Sequence, residues 1–493
     1  MSLNGVLSSG VSAILTNSAA LRVVAGNIAN VNTPGYVRRT VNMEPMAPGG
    51  QLSGVALSDV QRVVNQYLDM EVLAARSAAA RYDIQATLLN QLDATLGQPG
   101  DGTSLGSRID AVYAVLGQAS LDPGALATRL GVLNEFEALA QTASNLSDAI
   151  ANLRVDADQQ VASTVTHANQ LIQQIFELNP QIQHAILAGE TASGLLDQRD
   201  QLVGQLSDIM GIRTNVQSDG RLFISTTDGV SLITDIYSEI THEPGFGPSF
   251  SPLMVQPVHP LTGDPIGTPQ VLDFHVTSGQ LRGLLDIRDN VLVGFGEELG
   301  TLMQTLSLAV NAQHNSNAVV PPPSELDGRQ TGLLATDSLN FSGATTIGLT
   351  DANGVLIHKI AIDFDAGTIS VDGGGASAIG GTIGSFASAL DTALGANGNA
   401  DFTNGVLTIS ATGSNGLVVA DEPGNPSSRA GIGFSHFFGL NDLYRAEGNA
   451  IQTTGLSASD AHGLVPGGDI TLLLRGPDGR RVSEVTVAVT GAT

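Results

Sequence analysis

One ten-residue segment sets the first boundary of the chain: Asn27-Ile28-Ala29-Asn30-Val31-Asn32-Thr33-Pro34-Gly35-Tyr36. Asn32 and Thr33 are poor interior residues for a helix, and Pro34 biases the residue before it towards extended geometry. The Pro34-Gly35 pair also favours a turn. The segment therefore predicts the end of a helix, followed by extended and loop-like chain over residues 37–60.

Upstream of this segment, residues 1–28 repeat apolar side chains at alternating steps of four and three, which is the coiled-coil spacing. The apolar members of this stripe are Leu3, Leu7, Ile14, Leu21, Val24 and Ile28, while Gly10 and Asn17 fill its two remaining places. The opposite face is small and polar, and Arg22 is the only charge before residue 38. A lone helix of this kind is marginal in water, so we expect it to fold against a partner.

A stripe of this spacing usually forms the core face of its own domain, but the uncharged opposite face here favours burial among other copies. We therefore predict an assembly interface that combines the stripe with the turn after it. The predicted turn residues are Asn30, Asn32, Thr33, Pro34, Gly35 and Tyr36.

Length and composition exclude several classes of protein. A chain of 493 residues predicts two to four domains. Its 21 Lys and Arg against 47 Asp and Glu give a net charge of -26, which argues against binding nucleic acid or an anionic membrane. There is no cysteine, which excludes disulfides, thiolate metal sites and thiol nucleophiles. We see no signal-peptide pattern and no run of 18 apolar residues, so we expect no membrane-spanning segment.

The period of the hydrophobic pattern changes along the chain and predicts an α+β multidomain fold. Long helices dominate up to about residue 210, a hairpin signal stands at Asp228-Gly229, and strands dominate beyond residue 340. Pro180 is expected to kink or interrupt a long helix over 124–188. The predicted divisions are an N-terminal axial helix and extended segment (1–59), a helical bundle (60–317) with a β insertion at about 212–276, a β-rich outer domain with one short helix (318–447), and the start of a further β region (448–493).

The segment Asn27–Tyr36 closely resembles the signature shared by flagellar rod, hook and hook-associated proteins, and it lies at the expected distance from the start. Three later segments narrow the resemblance to the family of hook-associated protein 1. These segments are Leu195–Val203, the pair Gln280–Asp289 and Asn311–Asn315, and Phe434–Leu443. The resemblance covers the N-terminal two-thirds of the chain well and the outer β regions loosely.

The resemblance implies a structural, secreted subunit of the bacterial flagellum, located at the hook–filament junction, where it adapts the hook to the filament. It implies a homo-oligomeric ring with hook protein below and the second junction protein, hook-associated protein 3, above. Members of the family normally return at the C-terminus to helices that pair with the N-terminal ones, whereas this chain stops at Thr493 in a β region. We therefore expect that the C-terminal helices, on which an export chaperone is expected to bind, are missing.

The sequence shows no convincing catalytic constellation, and we predict no enzyme activity, no cofactor and no metal site. The nine histidines are scattered, with no pair at i, i+4. We interpret His314 as a helix C-terminal cap or packing residue and His436 as a partly buried core residue. Asp363, Asp365 and Asp372 lack the spacing of a calcium loop and fit solvated strand ends better.

The acidic and basic residues of the segment Leu195–Val203 have two interpretations. Asp197, Arg199 and Asp200 form either a salt-bridge set on a helix surface or a packing device between helices, and the resemblance slightly favours the second.

Three alternative functions remain open. A hook or distal rod subunit shares the N-terminal signature but lacks the helical block at 60–210. A secreted adhesin-like surface β protein leaves residues 1–36 without a structural role. A wall hydrolase fused to an axial subunit needs an acidic pair or zinc ligands within 340–493, and none there has convincing spacing.

Overall fold

The computed structural model describes residues 3–33, 35–47, 54–98, 100–189, 191–245, 250–445, 454–456, 460, 464, 467–475 and 481–490. These residues fall into two compact units, the first reaching Gly296 and the second beginning at Glu297. Both units mix helices with antiparallel sheets, which confirms the predicted α+β multidomain class. The finer division into four domains stays a prediction.

The first unit is mainly helical. Its helices are α1 (Leu3–Ala29), α2 (Gln66–Leu96), α3 (Leu105–Leu121), α4 (Leu126–Leu187), α5 (Ser193–Ile209) and α6 (Gly279–Asp286). A five-residue π-helical segment, Ile287–Val291, follows α6 and leads into α7 (Leu292–Asn315).

The residues after α1 form a paired hairpin, where the sequence predicted only extended and loop-like chain. Strand β1 (Arg39–Met46) pairs antiparallel with β2 (Gly54–Arg62), and Arg39 stands opposite Arg62. The extended geometry predicted here is confirmed, whereas the loop-like character was wrong for the two strands, because strand pairing depends on partners that a local pattern does not specify. We call α1, the turn and this hairpin the N-terminal segment.

The apolar pattern that includes Val64, Leu68 and Val72 predicts a helix from about residue 60, but α2 begins later, at Gln66. Asn65 caps it by accepting hydrogen bonds from the N–H groups of Tyr67 and Leu68, so Val64 lies outside the helix. Leu68 and Val72 were predicted on the apolar face but are 59% and 48% exposed, and the buried part of this face lies further along the helix.

Helix α4 runs for 62 residues without the interruption predicted at Pro180. Proline removes one backbone hydrogen bond and costs a helix about 3 kcal/mol. The neighbours Leu178 and Ile182 are 6% and 0% exposed. Burying two such side chains contributes a comparable stabilisation, about 1.5–3 kcal/mol each.

A six-stranded antiparallel sheet forms the β insertion of the first unit, and its strands follow one another in sequence order. The strands are β3 (Ile212–Val216), β4 (Leu222–Thr226), β5 (Ser231–Ile233), β6 (Tyr237–Thr241), β7 (Met254–Val258) and β8 (Gln270–Val271). Strands β4 and β5 pair around the Asp228-Gly229 turn, which confirms the predicted hairpin.

Two asparagines of α4 hold this sheet by the same arrangement. The Asn179 amide donates to the carbonyl of Leu222 at 2.9 Å and accepts from its N–H at 2.9 Å. Ten residues earlier, Asn169 donates to the carbonyl of Ile240 at 2.7 Å and accepts from its N–H at 2.9 Å. Each amide therefore satisfies both backbone groups of one strand residue.

A buried ionic cluster holds α4 to the segment after α6. Arg288 donates to Asp158 at 2.5 Å and to Asp289 at 2.8 Å. Asp158 also bonds the ring of His242 at 2.9 Å and accepts from the N–H of Gly245 at 2.8 Å. Because Arg288 and Asp158 are 2% and 0% exposed, each charge depends on the other for solvation.

The second unit is built around a five-stranded antiparallel sheet in the order β13-β12-β11-β10-β16. Its elements after α7 are β9 (Glu325–Asp327), β10 (Ala344–Thr350), β11 (Leu356–Asp363), β12 (Thr368–Val371), β13 (Ser377–Ala378), α8 (Ile383–Leu394), β14 (Gly398–Thr403), β15 (Val406–Ala411), β16 (Gly416–Asp421), α9 (Phe434–Phe438), β17 (Asp469–Arg475) and β18 (Arg481–Ala488). Strands β9, β14 and β15 form a three-stranded sheet, while β17 and β18 pair as a hairpin. The aromatic rings of α9 pack into the core of this unit.

Candidate assembly site

The predicted stripe on α1 is exposed. Leu7, Ile14, Leu21 and Ile28 are 68–70% exposed, and Val24 is 52% exposed. Leu3 belongs to α1, but its side chain lies outside the described residues, as does all of Pro34. A large exposed apolar surface of this kind is unusual in a soluble protein, and the exposure agrees with the predicted assembly interface, which stays a prediction.

The opposite, small polar face of α1 packs against the hairpin. Thr16 is 5% exposed and donates to the carbonyl of Val55 at 3.1 Å. Ser12 accepts from the N–H of Val55 at 3.3 Å, and a side chain at Gly54 would collide with the Ser12 hydroxyl. At about 100° per residue, these positions lie roughly 150° around the helix from the stripe. The small residues therefore bring the hairpin close and leave the stripe free.

The turn residues act mostly within the turn. The Asn30 amide donates to the carbonyl of Gly26 at 2.9 Å and accepts from the Thr33 hydroxyl at 3.2 Å, which closes the end of α1. Asn32 and Thr33 are exposed. Gly35 has a positive φ of 80°, and a Cβ there would lie 3.5 Å from Gln201 on α5, so the turn approaches that helix closely.

Asn27 connects α1 to the first strand, although we did not include it among the predicted site residues. Its side-chain nitrogen donates to the carbonyl of Arg39 at 2.8 Å, and its oxygen accepts from the N–H of Arg39 at 2.9 Å. The same oxygen accepts from the hydroxyl of Tyr36 at 2.9 Å. The guanidinium of Arg39 in turn lies 5.2 Å from the centre of the Tyr36 ring, within cation–π range.

Two arginines of the hairpin then bind two aspartates of α5. Arg39 donates to one carboxylate oxygen of Asp197 at 2.6 Å, and Arg62 donates to the other at 2.9 Å. Arg62 also reaches Asp200 at 2.5 Å. Side-chain exposure is 10% for Arg62 and 16% for Asp197, but 41% for Asp200. The contact between Arg62 and Asp197 is therefore partly shielded from water, whereas Asp200 is exposed.

Burial and neighbouring charges shift the pKa values of Asp69 and Arg199, which lie near this network. Burial raises the pKa of Asp69 on α2, the charge of Asp200 raises it further, and Arg62 opposes the rise. Burial lowers the pKa of Arg199, as does the nearby Arg62, while Asp200 opposes the change. Arg199 donates to the carbonyl of Gly220 at 2.7 Å.

The structure matches the salt-bridge interpretation for Asp197 and Asp200, but their partners lie on the hairpin. Among the described residues, no hydrogen bond or salt bridge of the side chains of Asp197, Arg199 and Asp200 joins two helices. Asp197 and Asp200 form salt bridges, whereas Arg199 is buried and packs α5 against the β insertion. Sequence reasoning missed the partners Arg39 and Arg62. The available signal was that basic residues are scarce: the chain contains only 21, so each is a candidate salt-bridge partner for an aspartate.

A second polar network lies within the second unit, where the end of α7 meets the segment after α9. Asn311 donates to the carbonyl of Tyr444 at 2.7 Å and accepts from two successive backbone N–H groups at 2.9 Å each. Asn315 donates to Asp442 and accepts from the hydroxyl of Ser435, both at 2.8 Å. The two segments singled out by the family resemblance thus fit one another.

The two histidines of this network have structural roles. A ring nitrogen of His314 lies 2.6 Å from the carbonyl of Asn441, so His314 packs at the end of α7 as the sequence indicated. His436 is partly buried and accepts from Arg329 at 3.0 Å. Burial and the charge of Arg329 lower the pKa of His436 to about 4, which keeps the ring neutral.

The aspartates considered for calcium bind protein groups instead. Asp372 bonds the His358 ring at 2.7 Å, and Asp365 accepts from the backbone N–H of Gly343 at 3.1 Å. In the described part of the chain, no three His, Cys, Asp or Glu side chains are grouped as metal ligands.

One part of α1, Gly5–Ala29, is long and apolar enough to cross a bilayer by length and composition, and it is the one helix among the described residues that is. The expectation of no such segment rested on the absence of an unbroken apolar run, which is a stricter criterion than mean hydropathy. Core helices and signal sequences share these properties, so length and composition alone assign no membrane to α1.

Comparison with known families gives two matches. Residues 89–323 match the helical domain of the flagellar hook-associated protein FlgK, and residues 7–36 match the flagella basal body rod protein family. The first match begins within the last turns of α2 and contains α3 to α7 together with the β insertion. The second ends at Tyr36, the last residue of the signature.

Similar proteins carry related names. Flagellar hook-associated protein 1 of Bacillus subtilis is 28% identical over 229 residues, 44% of this chain and 45% of the relative. That of Escherichia coli is 26% identical over 377 residues, 74% of this chain and 67% of the relative. The chain thus spans about half to two thirds of these relatives. The flagellar hook junction protein FlgK of Burkholderia pseudomallei aligns with a TM-score of 0.44 and 19% identity, covering 86% of this chain and 79% of that one.

Proposed function

We propose that this chain, a homologue of flagellar hook-associated protein 1 that carries the FlgK helical domain, is a structural subunit of the bacterial flagellum at the hook–filament junction. The proposed role is mechanical and contains no catalytic step. The subunit adapts the hook to the filament, and it reaches its place by export from the cell.

The observation that carries this proposal is the exposed stripe of α1. Five of its apolar side chains are more than half exposed, while the small polar face behind them is already occupied by the hairpin. Burying each such side chain contributes about 1.5–3 kcal/mol. A helix with this surface is stabilised by packing against apolar helices of neighbouring subunits.

The proposed partners follow from the position of the junction. Copies of this chain contact one another by repeated heterologous contacts around the axis and form a ring. Hook protein lies below this ring and hook-associated protein 3 above it. An export chaperone binds C-terminal helices of the kind that the family carries.

Immunogold electron microscopy of isolated flagella tests the proposal, with antibody raised against residues 340–493. We expect a narrow band of gold at the boundary between hook and filament. Label along the whole hook would make the chain a hook subunit and contradict the junction role. Label on the cell surface but absent from flagella would contradict any axial role and favour a surface protein.

A further inference from the structure

The joint between the N-terminal segment and α2 is short. Strand β2 ends at Arg62 and α2 begins at Gln66. The N–H of Val63 still donates to the carbonyl of Arg38 at 2.9 Å, and Asn65 already caps α2. Val64 therefore stands alone between the two, and it is 43% exposed. One exposed residue between two hydrogen-bonded elements is a place where backbone rotation meets little resistance.

The ionic contacts bridge this joint from the other side. Arg39 and Arg62 stand opposite one another on the two strands, at the hairpin end next to the joint. Each binds a different oxygen of the single carboxylate of Asp197, so rotation of the hairpin about Val64 would break both contacts. The exposed Asp200 adds a third contact to Arg62.

The signature turn transmits this restraint to α1. Asn27 near the end of α1 holds both backbone groups of Arg39, and Tyr36 bonds Asn27 and lies against the Arg39 guanidinium. Arg39 therefore binds Asp197 through its side chain and is held to α1 through its backbone.

We propose that Asp197, Arg39 and Arg62 form an ionic latch across a hinge at Val64, and that this latch sets the direction of α1 relative to α2–α6. With the latch closed, the apolar stripe points in one direction. With the latch open, α1 and the hairpin move together as one body about the hinge. The latch acts in the isolated chain, so it does not depend on assembly at the hook–filament junction.

Distance measurement between two spin labels tests the latch in the full chain. The chain contains no cysteine, so labels can be placed at Ser18→Cys on α1 and Ser163→Cys on α4, which are both exposed positions. The parent protein should give one narrow distance distribution. Asp197→Asn preserves the side-chain shape but removes the charge, and we expect it to replace the narrow peak by a broad distribution.

Two further variants make the test decisive. Asp156→Asn removes an exposed carboxylate from α4 and should leave the narrow peak unchanged. Arg62→Met removes the contacts to Asp197 and Asp200, and it serves as the reporter should Asp197→Asn lose its helical circular dichroism. A folded Asp197→Asn or Arg62→Met protein with the same narrow peak as the parent would overturn the latch.

Discussion

Replacing Asn179 by leucine probes how the long helix α4 holds the β insertion. Leucine has the same number and branching of side-chain heavy atoms as asparagine, but it is larger and has no polar atoms. The substitution therefore leaves the N–H and the carbonyl of Leu222 without the partners that now lie 2.9 Å from each. Asn179 is 3% exposed, so water cannot easily replace the lost amide.

The expected loss follows from these two bonds. Each buried backbone group left unsatisfied costs about 1–3 kcal/mol, and the added apolar burial of leucine returns about 1 kcal/mol. We expect the free energy of opening the sheet to fall by about 3 kcal/mol, which corresponds to roughly a hundredfold faster exchange at 1.4 kcal/mol per factor of ten. Asn169→Leu should cost less, because Asn169 is only partly buried.

Native-state hydrogen exchange of residues 223–233 measures this change without requiring the whole chain to unfold in one step. Asn152→Leu is the matched control, because Asn152 is an exposed residue of the same helix and its loss should stay within about 0.5 kcal/mol. If Asn179→Leu exchanges no faster than Asn152→Leu, the amide bonds do not hold the sheet and the reasoning is refuted.

Three other predictions concern buried polar groups. Because His436 has its pKa lowered to about 4 when folded, its contribution to stability is present above about pH 6.5 and is lost as the pH falls towards 4, by on the order of 1 kcal/mol per unit. Urea unfolding of the parent and of His436→Gln should converge with acidification by that amount; parallel curves would contradict it. Asp158→Asn leaves the guanidinium of Arg288 without its most buried partner and should cost about 3 kcal/mol in urea unfolding, whereas a loss below about 0.5 kcal/mol would show that the pair is dispensable. Asn311→Ala should increase hydrogen exchange over residues 441–445, and unchanged exchange there would mean that other contacts hold the segment.

Local patterns in the sequence were sufficient to predict the elements that carry their own signals. The short helix predicted within 318–447 follows from the pattern over Ile383–Leu394, and α8 lies there, because Thr382 caps it and the apolar face repeats regularly. The patterns over Val355–Asp363 and Gly405–Ala411 predict strands, and the structure has strands at Leu356–Asp363 and Val406–Ala411, one residue shorter at each start. Strand β10, Ala344–Thr350, was missed although it lies inside the main sheet. It contains three threonines and a glycine, and its burial comes from flanking strands rather than from an apolar pattern.

The candidate site was only partly accessible to sequence reasoning. The exposure of the α1 stripe agrees with the predicted assembly face, which stays a prediction until assembly is measured. The contact between Arg39 and Asp197 joins residues 158 positions apart. No local spacing in the sequence indicates such a pair, because the two residues lie on different elements that only the fold brings together. The signature residues were recognised by resemblance, but their physical role in fixing Arg39 becomes visible only in the folded chain.

The exposed stripe is central to the account, because it is proposed to build the chain into the flagellum. The most direct measurement is immunogold labelling of flagella from cells whose only copy carries Leu7→Asp and Ile14→Asp. These side chains are 69% and 68% exposed, so the purified variant should fold like the parent, yet fail to enter flagella because an unpaired carboxylate is costly to bury between subunits. Asn152→Asp with Ser163→Asp adds the same charge at exposed positions of a different helix, α4, and should keep the band at the hook–filament boundary. A normal band from the Leu7→Asp/Ile14→Asp variant would contradict the account.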